Sequence, residues 1–149
     1  KLSLLLALLM LTSIAALAAC SKVEPITVKV VINVAEEDDR GRREVTETIL
    51  ETDFAYESST PTLNDLLVKL RDAGKINLVT EADGDNVIIT GINDLVPKTD
   101  ETETTMEDYD WYVYINDGDA EDNSLSSTKA IAANDTVTIT YMHYSIAKE

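Results

Sequence analysis

The only cysteine of the chain stands at the end of an apolar run, and its thiol is the strongest nucleophile that the sequence offers. The run Leu2–Ala19 is rich in leucine and alanine and carries no charge. Small residues at Ala18 and Ala19 precede Cys20, and the polar Ser21 follows it. This pattern is typical of an export signal that is cleaved just before a cysteine. We therefore expect a thioether-linked lipid on Cys20.

The alternative for the same run is a retained transmembrane anchor, because about 18 apolar residues just span a hydrocarbon core. A disulfide is no explanation for Cys20, since the chain has no second cysteine. Both interpretations place the remainder outside the cytoplasm and tether it to a membrane. The expected organisation is a signal peptide over residues 1–19, a lipidated cysteine and tether over 20–25, and one domain over 26–149.

Aromatic side chains form a second candidate site near the end of the chain. Residues 110–116 alternate in character, so that Trp111 is expected on one face of a strand and Tyr112 and Tyr114 on the other. If Tyr141 shares their solvent face, the three tyrosines form a platform for a flat ring or a sugar. His143 adds an imidazole, which is a candidate axial ligand to cobalt. The alternative is that these side chains only pack against neighbouring strands.

Two acidic turns suggest a calcium site. Asp83 and Asp85 alternate in one turn, and Asp117 and Asp119 alternate in another. Alternating carboxylates can converge on a hard cation. Neither turn has the ligand order of an EF-hand, and exposed hairpin turns are the simpler explanation for both.

Catalysis finds no support in the sequence. The chain has one histidine, and it has neither a glycine-rich phosphate loop nor a nucleophile elbow. A pair of carboxylates carries no information in a chain with 28 acidic and 12 basic side chains. The formal charge of −16 also makes nucleic acid an unfavourable partner. We expect a protein that is not an enzyme and needs no cofactor.

The elements that position these residues are mostly strands. Alternating apolar residues predict a strand over Ile26–Val34, and a second one follows the charged turn around Gly41. The segment Asn93–Tyr109 is acidic and is predicted to be a long loop, either functional or disordered. The remaining predicted strands are Glu44–Thr52, Ile76–Thr80, Asn86–Ile92, Asp110–Asn116 and Thr136–Met142. The apolar residues of Glu44–Thr52 would also suit one face of a helix, but its threonines favour a strand.

One helix is predicted between the second and third strands. Four leucines at the spacing i, i+3, i+4, i+7 make a single apolar stripe, which indicates a helix that covers a sheet: Leu63, Leu66, Leu67 and Leu70. Thr62 and Asp65 have the form of a capping box, and Gly74 suits the residue after the last turn. Strands with one helix across one face predict an α+β domain with a β-grasp-like mixed sheet.

The strand pair near the C-terminus carries a resemblance to a known family. Asp110–Gly118 followed by Ala133–Tyr141 resembles the paired last strands of the transcobalamin-C-terminal-like family, DUF4430. The helix opening at Thr60–Leu70 and the corner Thr90–Asn93 fit the same pattern. The resemblance covers about residues 26–144.

In the cobalamin carriers that give this family its name, such a domain forms one half of a clamp over the corrin ring. The resemblance therefore implies the fold and a ligand-facing edge, with a second protein to cover the rest of a corrin. Two functions follow as expectations. The first is an extracytoplasmic, lipid-anchored, non-catalytic binding module for a cobalamin-like or other small ring ligand. The second is a surface interaction or adhesion module whose β-edge and acidic loops meet an envelope protein.

Overall fold

The computed structural model of the protein describes residues 23–38, 40–116, 118 and 124–147. The predicted leader, Cys20, Asp117 and Asp119 lie outside these residues. In the described part of the chain, no helix has both the length and the apolar character to cross a membrane. The elements there are β1 (Ile26–Glu37), β2 (Arg43–Tyr56), α1 (Leu63–Asp72), β3 (Leu78–Asp83), β4 (Asn86–Ile92), β5 (Lys98–Glu101), β6 (Thr105–Ile115) and β7 (Thr136–Ala147).

Five of the strands form one mixed sheet in the order β2-β1-β7-β6-β5. The two central strands, β1 and β7, run parallel, and the other neighbours run antiparallel. The strands β3 and β4 form a separate antiparallel hairpin. A mixed sheet together with one helix defines an α+β architecture, which confirms the predicted class.

The helix α1 covers one face of this sheet because its apolar stripe faces the strands. The four leucines of the stripe are fully buried and share one core with inward residues of the central strands, as predicted. This core holds Leu63, Leu66, Leu67, Leu70, Val28, Val30, Ile32, Trp111, Val113, Val137 and Ile139. We call the opposite surface of the five-stranded sheet the open face, because α1 packs on the other side.

Both ends of α1 have the caps expected from the sequence. The Thr62 side chain accepts a hydrogen bond of 3.3 Å from the Asp65 backbone N–H. The capping box is only half formed, because Oδ2 of Asp65 is buried without a hydrogen-bond partner. Separately, the backbone N–H of Leu63, the first residue of α1, donates to the carbonyl of Lys129 in the β6–β7 connection. After the helix, Gly74 adopts a φ of 67° and stops it.

The prediction of a long loop over Asn93–Tyr109 was wrong. This segment contains β5 and the beginning of β6, which form a hairpin at the edge of the sheet. Its polar residues find partners within the hairpin: Thr99 donates to an Asp108 carboxylate oxygen at 2.8 Å. At the tip, the Thr105 N–H donates to the hydroxyl of Thr102 at 2.9 Å. A charged segment can therefore be ordered when it is an edge strand.

Candidate functional site

Tyr112 and Tyr114 lie half-buried on the open face. The predicted alternation in β6 is confirmed, because Trp111 and Val113 between them are buried in the core beneath α1. The cross-strand partner of Tyr112 is Thr140, and this pair lies over the middle of the sheet.

Tyr144 joins these two tyrosines on the open face. Its ring meets the ring of Tyr112 edge to face, with centroids 5.9 Å apart and planes at 85°. This is a favourable arrangement for two aromatic rings. Burial of the Tyr144 hydroxyl, together with its hydrogen bond to Tyr112, raises the pKa of Tyr144. The Tyr144 hydroxyl therefore stays uncharged at physiological pH.

The condition for a platform of three tyrosines is not met, because Tyr141 does not share the solvent face of Tyr112 and Tyr114. Tyr141 pairs with Trp111 across β6 and β7, so its ring lies on the helix side and packs at 4.9 Å from the indole. Only 5% of Tyr141 is exposed, and its hydroxyl donates to the carbonyl of Val96 at 2.5 Å. The reason is register: alternation assigns faces within one strand, whereas pairing decides which faces of two strands coincide.

His143 also lies on the helix side of the sheet, because it pairs with Tyr109 on the face that carries Trp111. Its ring stacks on Tyr109, with centroids 4.4 Å apart and planes 10° from parallel. Its Nε2 donates to one oxygen of Glu107 at 2.5 Å, and the Ser145 hydroxyl donates to the other at 2.8 Å. The serine and the imidazole thus both bind the carboxylate and not each other, so the serine is not activated as a nucleophile. Axial ligation through Nε2 would require this hydrogen bond to Glu107 to break.

The Arg43 side chain reaches across the open face. It donates through Nε to Glu37 Oε2 at 3.1 Å and through Nη1 to the hydroxyl of Tyr114. Its guanidinium carbon lies 5.6 Å from the centre of the Tyr114 ring. We call this contact between Arg43, Glu37 and Tyr114 the Arg43 clasp.

The Arg43 clasp shows that the open face is concave along the diagonal from Arg43 to Tyr114. Pairing places Arg43 level with Asp108 on β6, and Tyr114 lies six residues further along that strand. In a flat sheet the two positions would be about 14 Å apart across the strands and about 20 Å apart along them, beyond the combined reach of the two side chains. Twist of the sheet and two bulges in β2 bring these corners together.

Four side chains beneath the clasp are almost completely buried, although α1 lies on the other side of the sheet. They form the floor of the open face: Met142 (1% exposed), Ala35 (2%), Thr140 (6%) and Asn33 (7%). The side-chain oxygen Oδ1 of Asn33 is buried and has no hydrogen-bond partner among the described residues. Buried polar atoms in native proteins are nearly always paired, so this orphan acceptor requires an explanation.

Two of the four candidate calcium ligands are among the described residues. Asp83 ends β3, and Asp85 lies in the exposed turn that leads to β4. No group of three or more carboxylate, histidine or cysteine side chains suited to a metal forms among the described residues. The other two candidates, Asp117 and Asp119, are not among those residues, and neither is the lipidation candidate Cys20.

Sequence reasoning missed three residues of the open face, namely Asn33, Arg43 and Tyr144. Asn33 carries a signal in hindsight, because it is a polar residue within an otherwise apolar stretch of β1. Arg43 belongs to a charged turn and carries no such signal, because only the curvature of the sheet brings it to Tyr114. Tyr144 was visible, but the register that places it near Tyr112 was not.

No protein-family model and no curated protein sequence matches this chain. The resemblance to the transcobalamin-C-terminal-like family therefore stays a prediction that rests on the residues named above.

Proposed function

We propose that the protein is a non-catalytic binding module, anchored to the outer side of a membrane through a lipid on Cys20, whose open face binds a small ring ligand such as a cobalamin-like compound. The observation that carries the proposal is the concave open face. It presents the Tyr112 and Tyr144 rings over a buried floor, and no other described element packs on it.

The strand order supports a β-grasp-like domain of the predicted family. The parallel pair β1–β7 lies in the interior of the sheet, and the one helix of the described residues follows β2. A helix after the first two strands is also the element order predicted from the sequence. The proposed anchor is supported by the sequence pattern before Cys20, which remains the only basis for the extracytoplasmic location.

The chemistry of the open face favours a flat ligand without negative charge. Aromatic rings provide a stacking surface, and the tyrosine hydroxyls can bind polar groups at the ligand's edge. The one guanidinium on this face, that of Arg43, is already paired with Glu37. Together with the formal charge of −16, this disfavours an anionic ligand.

Equilibrium dialysis of residues 23–149 against cobalamin and cobinamide, with and without calcium, tests the proposal. These residues contain the whole described core, which lies between Ile26 and Met142. Saturable retention in the micromolar range is the expected result. If neither compound is retained, the proposal that this domain binds a corrinoid without a second protein is overturned.

Matched tyrosine variants locate the binding face. We expect Tyr112→Leu to weaken retention by about tenfold, because it removes the ring, and Tyr112→Phe to have little effect. Tyr109→Leu, on the helix side, serves as the control for general damage. Equal losses in Tyr112→Leu and Tyr109→Leu would contradict binding at the open face.

A protein–protein interaction module is the second candidate, and the edge strand β2 favours it. This strand has 14 residues and its outer edge is unpaired within the described part of the chain. Its bulges protect the first half against pairing, but the register from Leu50 to Tyr56 is regular. A photo-crosslinker at Asp53 should capture an envelope protein, whereas one at Val87 in the β3–β4 hairpin should not.

A further inference from the structure

Asn33 is a buried residue of the open face whose side-chain oxygen has no hydrogen-bond partner among the described residues. Asn33 shares its row on the open face with Thr140 and Tyr112, to which pairing connects it across β1, β7 and β6. Its Oδ1 atom is shielded from solvent and accepts no hydrogen bond. Leaving a buried acceptor unpaired destabilises the folded protein, whereas an apolar side chain of similar shape would avoid that loss. A polar side chain that costs stability at such a position is typical of a functional site.

The covering side chains can move away at little cost. About half of the Arg43 side chain is exposed, and its ion pair with Glu37 belongs to the solvent-exposed class that contributes little to stability. Tyr114 contacts the same guanidinium, both through its hydroxyl and through the face of its ring. We expect Asn33 and its neighbours on the floor to become accessible between the tyrosine rings when Arg43 swings into solvent.

The floor then defines the chemistry of its occupant. Met142 and Ala35 offer an apolar surface, and methionine adapts its shape to different ligands. Asn33 Oδ1 offers an acceptor and so requires a donor. The carboxylates of Asp110 and Glu37 lie close enough to the Tyr144 hydroxyl to help raise its pKa, so they contribute negative electrostatic potential next to the floor.

We infer that the open face contains a binding pocket, which the Arg43 clasp closes, for a flat ring without negative charge. The ring carries an N–H or O–H donor at its edge, and this donor pairs with Oδ1 of Asn33 once the clasp opens. The inference rests on the site proposed above, and it specifies the ligand's chemistry there. It does not depend on the ligand being a corrinoid.

Indole and 1-methylindole test the inference, because they share a flat ring and only indole has an N–H donor. Their binding is measured on residues 23–149 from ¹H–¹⁵N amide shifts at millimolar ligand. We expect indole to shift the amides of Asn33, Thr140 and Tyr112 and to bind about tenfold more tightly than 1-methylindole. Indole-3-acetate, the anionic control, should bind more weakly than indole.

Two variants separate the roles of Asn33 and the clasp. Asn33→Leu should fold with equal or higher stability and bind indole and 1-methylindole equally. Arg43→Gln should strengthen the binding of both compounds, because the ligand no longer displaces the guanidinium. Stronger binding in Arg43→Gln and unchanged binding in the control Arg42→Gln would support opening of the clasp.

The outcomes distinguish this inference from the proposed function. Open-face shifts of equal size for indole and 1-methylindole would overturn the role of Asn33 and leave the ring platform standing. Shifts confined to the helix side around Tyr109, or no shifts at all, would overturn the pocket itself. Tighter binding of indole than of 1-methylindole, together with no retention of cobinamide, would support the pocket and would reject only the proposal that its ligand is a corrinoid.

Discussion

Glu107 binds two neighbouring side chains of β7 at once, one through each carboxylate oxygen. The hydrogen bond from His143 is the larger cause that lowers the pKa of Glu107, and the one from Ser145 is the second. A carboxyl group with a lowered pKa stabilises the fold above its ordinary pKa near 4.5. That contribution is lost as the pH falls through the pKa of the folded state.

His143→Phe should raise the pKa of Glu107 towards its ordinary value. Phenylalanine keeps a ring against Tyr109 and removes the donating nitrogen. The side-chain carboxyl ¹³C shift of Glu107, followed by NMR as a function of pH, measures the change directly. Ser145→Ala should raise the pKa by a smaller amount. An unchanged titration in His143→Phe would show that the imidazole does not hold this carboxylate.

Gly91→Ala should destabilise the protein by about 2 kcal/mol, because there is no room for a methyl group. A Cβ at this position would stand 2.3 Å from the carbonyl oxygen of Leu95 and 2.8 Å from Val96 Cγ1. Urea unfolding followed by tryptophan fluorescence measures the loss. Gly84→Asn is the control, since its φ of 61° is one that asparagine tolerates. Equal stability of Gly91→Ala and the parent would mean that the turn shifts to accept the methyl group.

For single residues, the sequence predicts which face of its own strand a side chain occupies better than it predicts which other side chains it contacts. The alternation in β6 was enough to separate Trp111 from Tyr112, because period two is local. The faces of Tyr141 and Asn33 depend on their pairing with other strands, and so does the contact of Arg43 with Tyr114. No local pattern contains that information.

Among the elements, α1 was predicted most closely because its signals are all local: the leucine stripe, the Thr62 cap and the terminal Gly74. The edge strand β5 was missed for the opposite reason. All four of its residues are exposed, and they carry charges or a hydroxyl, so its sequence looks like a loop. Edge strands need no buried face and often carry charge, which makes them hard to recognise from hydrophobicity.

Thr62→Ala should cost about 1 kcal/mol of unfolding free energy, because it removes the acceptor for the Asp65 N–H. Thermal or urea unfolding gives the value. Thr62→Ser keeps the hydroxyl and should retain nearly all of the stability. A loss in Thr62→Ser as large as that in Thr62→Ala would assign the effect to the methyl group and not to the cap.

For the molecule as a whole, three of the six tyrosines should make stability fall at alkaline pH. Burial raises the pKa of Tyr56 to about 12 and also raises the pKa of Tyr141 and Tyr144. The unfolded chain therefore loses these protons first as the pH rises above 10, and it then binds fewer protons than the folded one. Stability falls with rising pH wherever this holds.

A spectrophotometric titration of tyrosinate, paired with urea unfolding at each pH, tests this expectation. Tyr56, Tyr141 and Tyr144 should ionise last and together with unfolding. The Tyr56 hydroxyl is buried without a partner, so Tyr56→Phe should keep the packing and lessen the loss of stability between pH 10 and 12. Ionisation of all six tyrosines in one step in the folded protein would contradict it.

The parallel pairing of β1 with β7 also has a mechanical consequence. Lys29–Glu37 pair in unbroken register with Thr136–Tyr144 at the centre of the sheet. A force that pulls Ile26 and Ala147 apart drags the two strands past each other lengthwise and loads all of these backbone bonds at the same time. A domain tethered near Ile26 and pulled through the end of β7 would resist extension in shear, where an antiparallel pair pulled from its open end would unzip one bond after another.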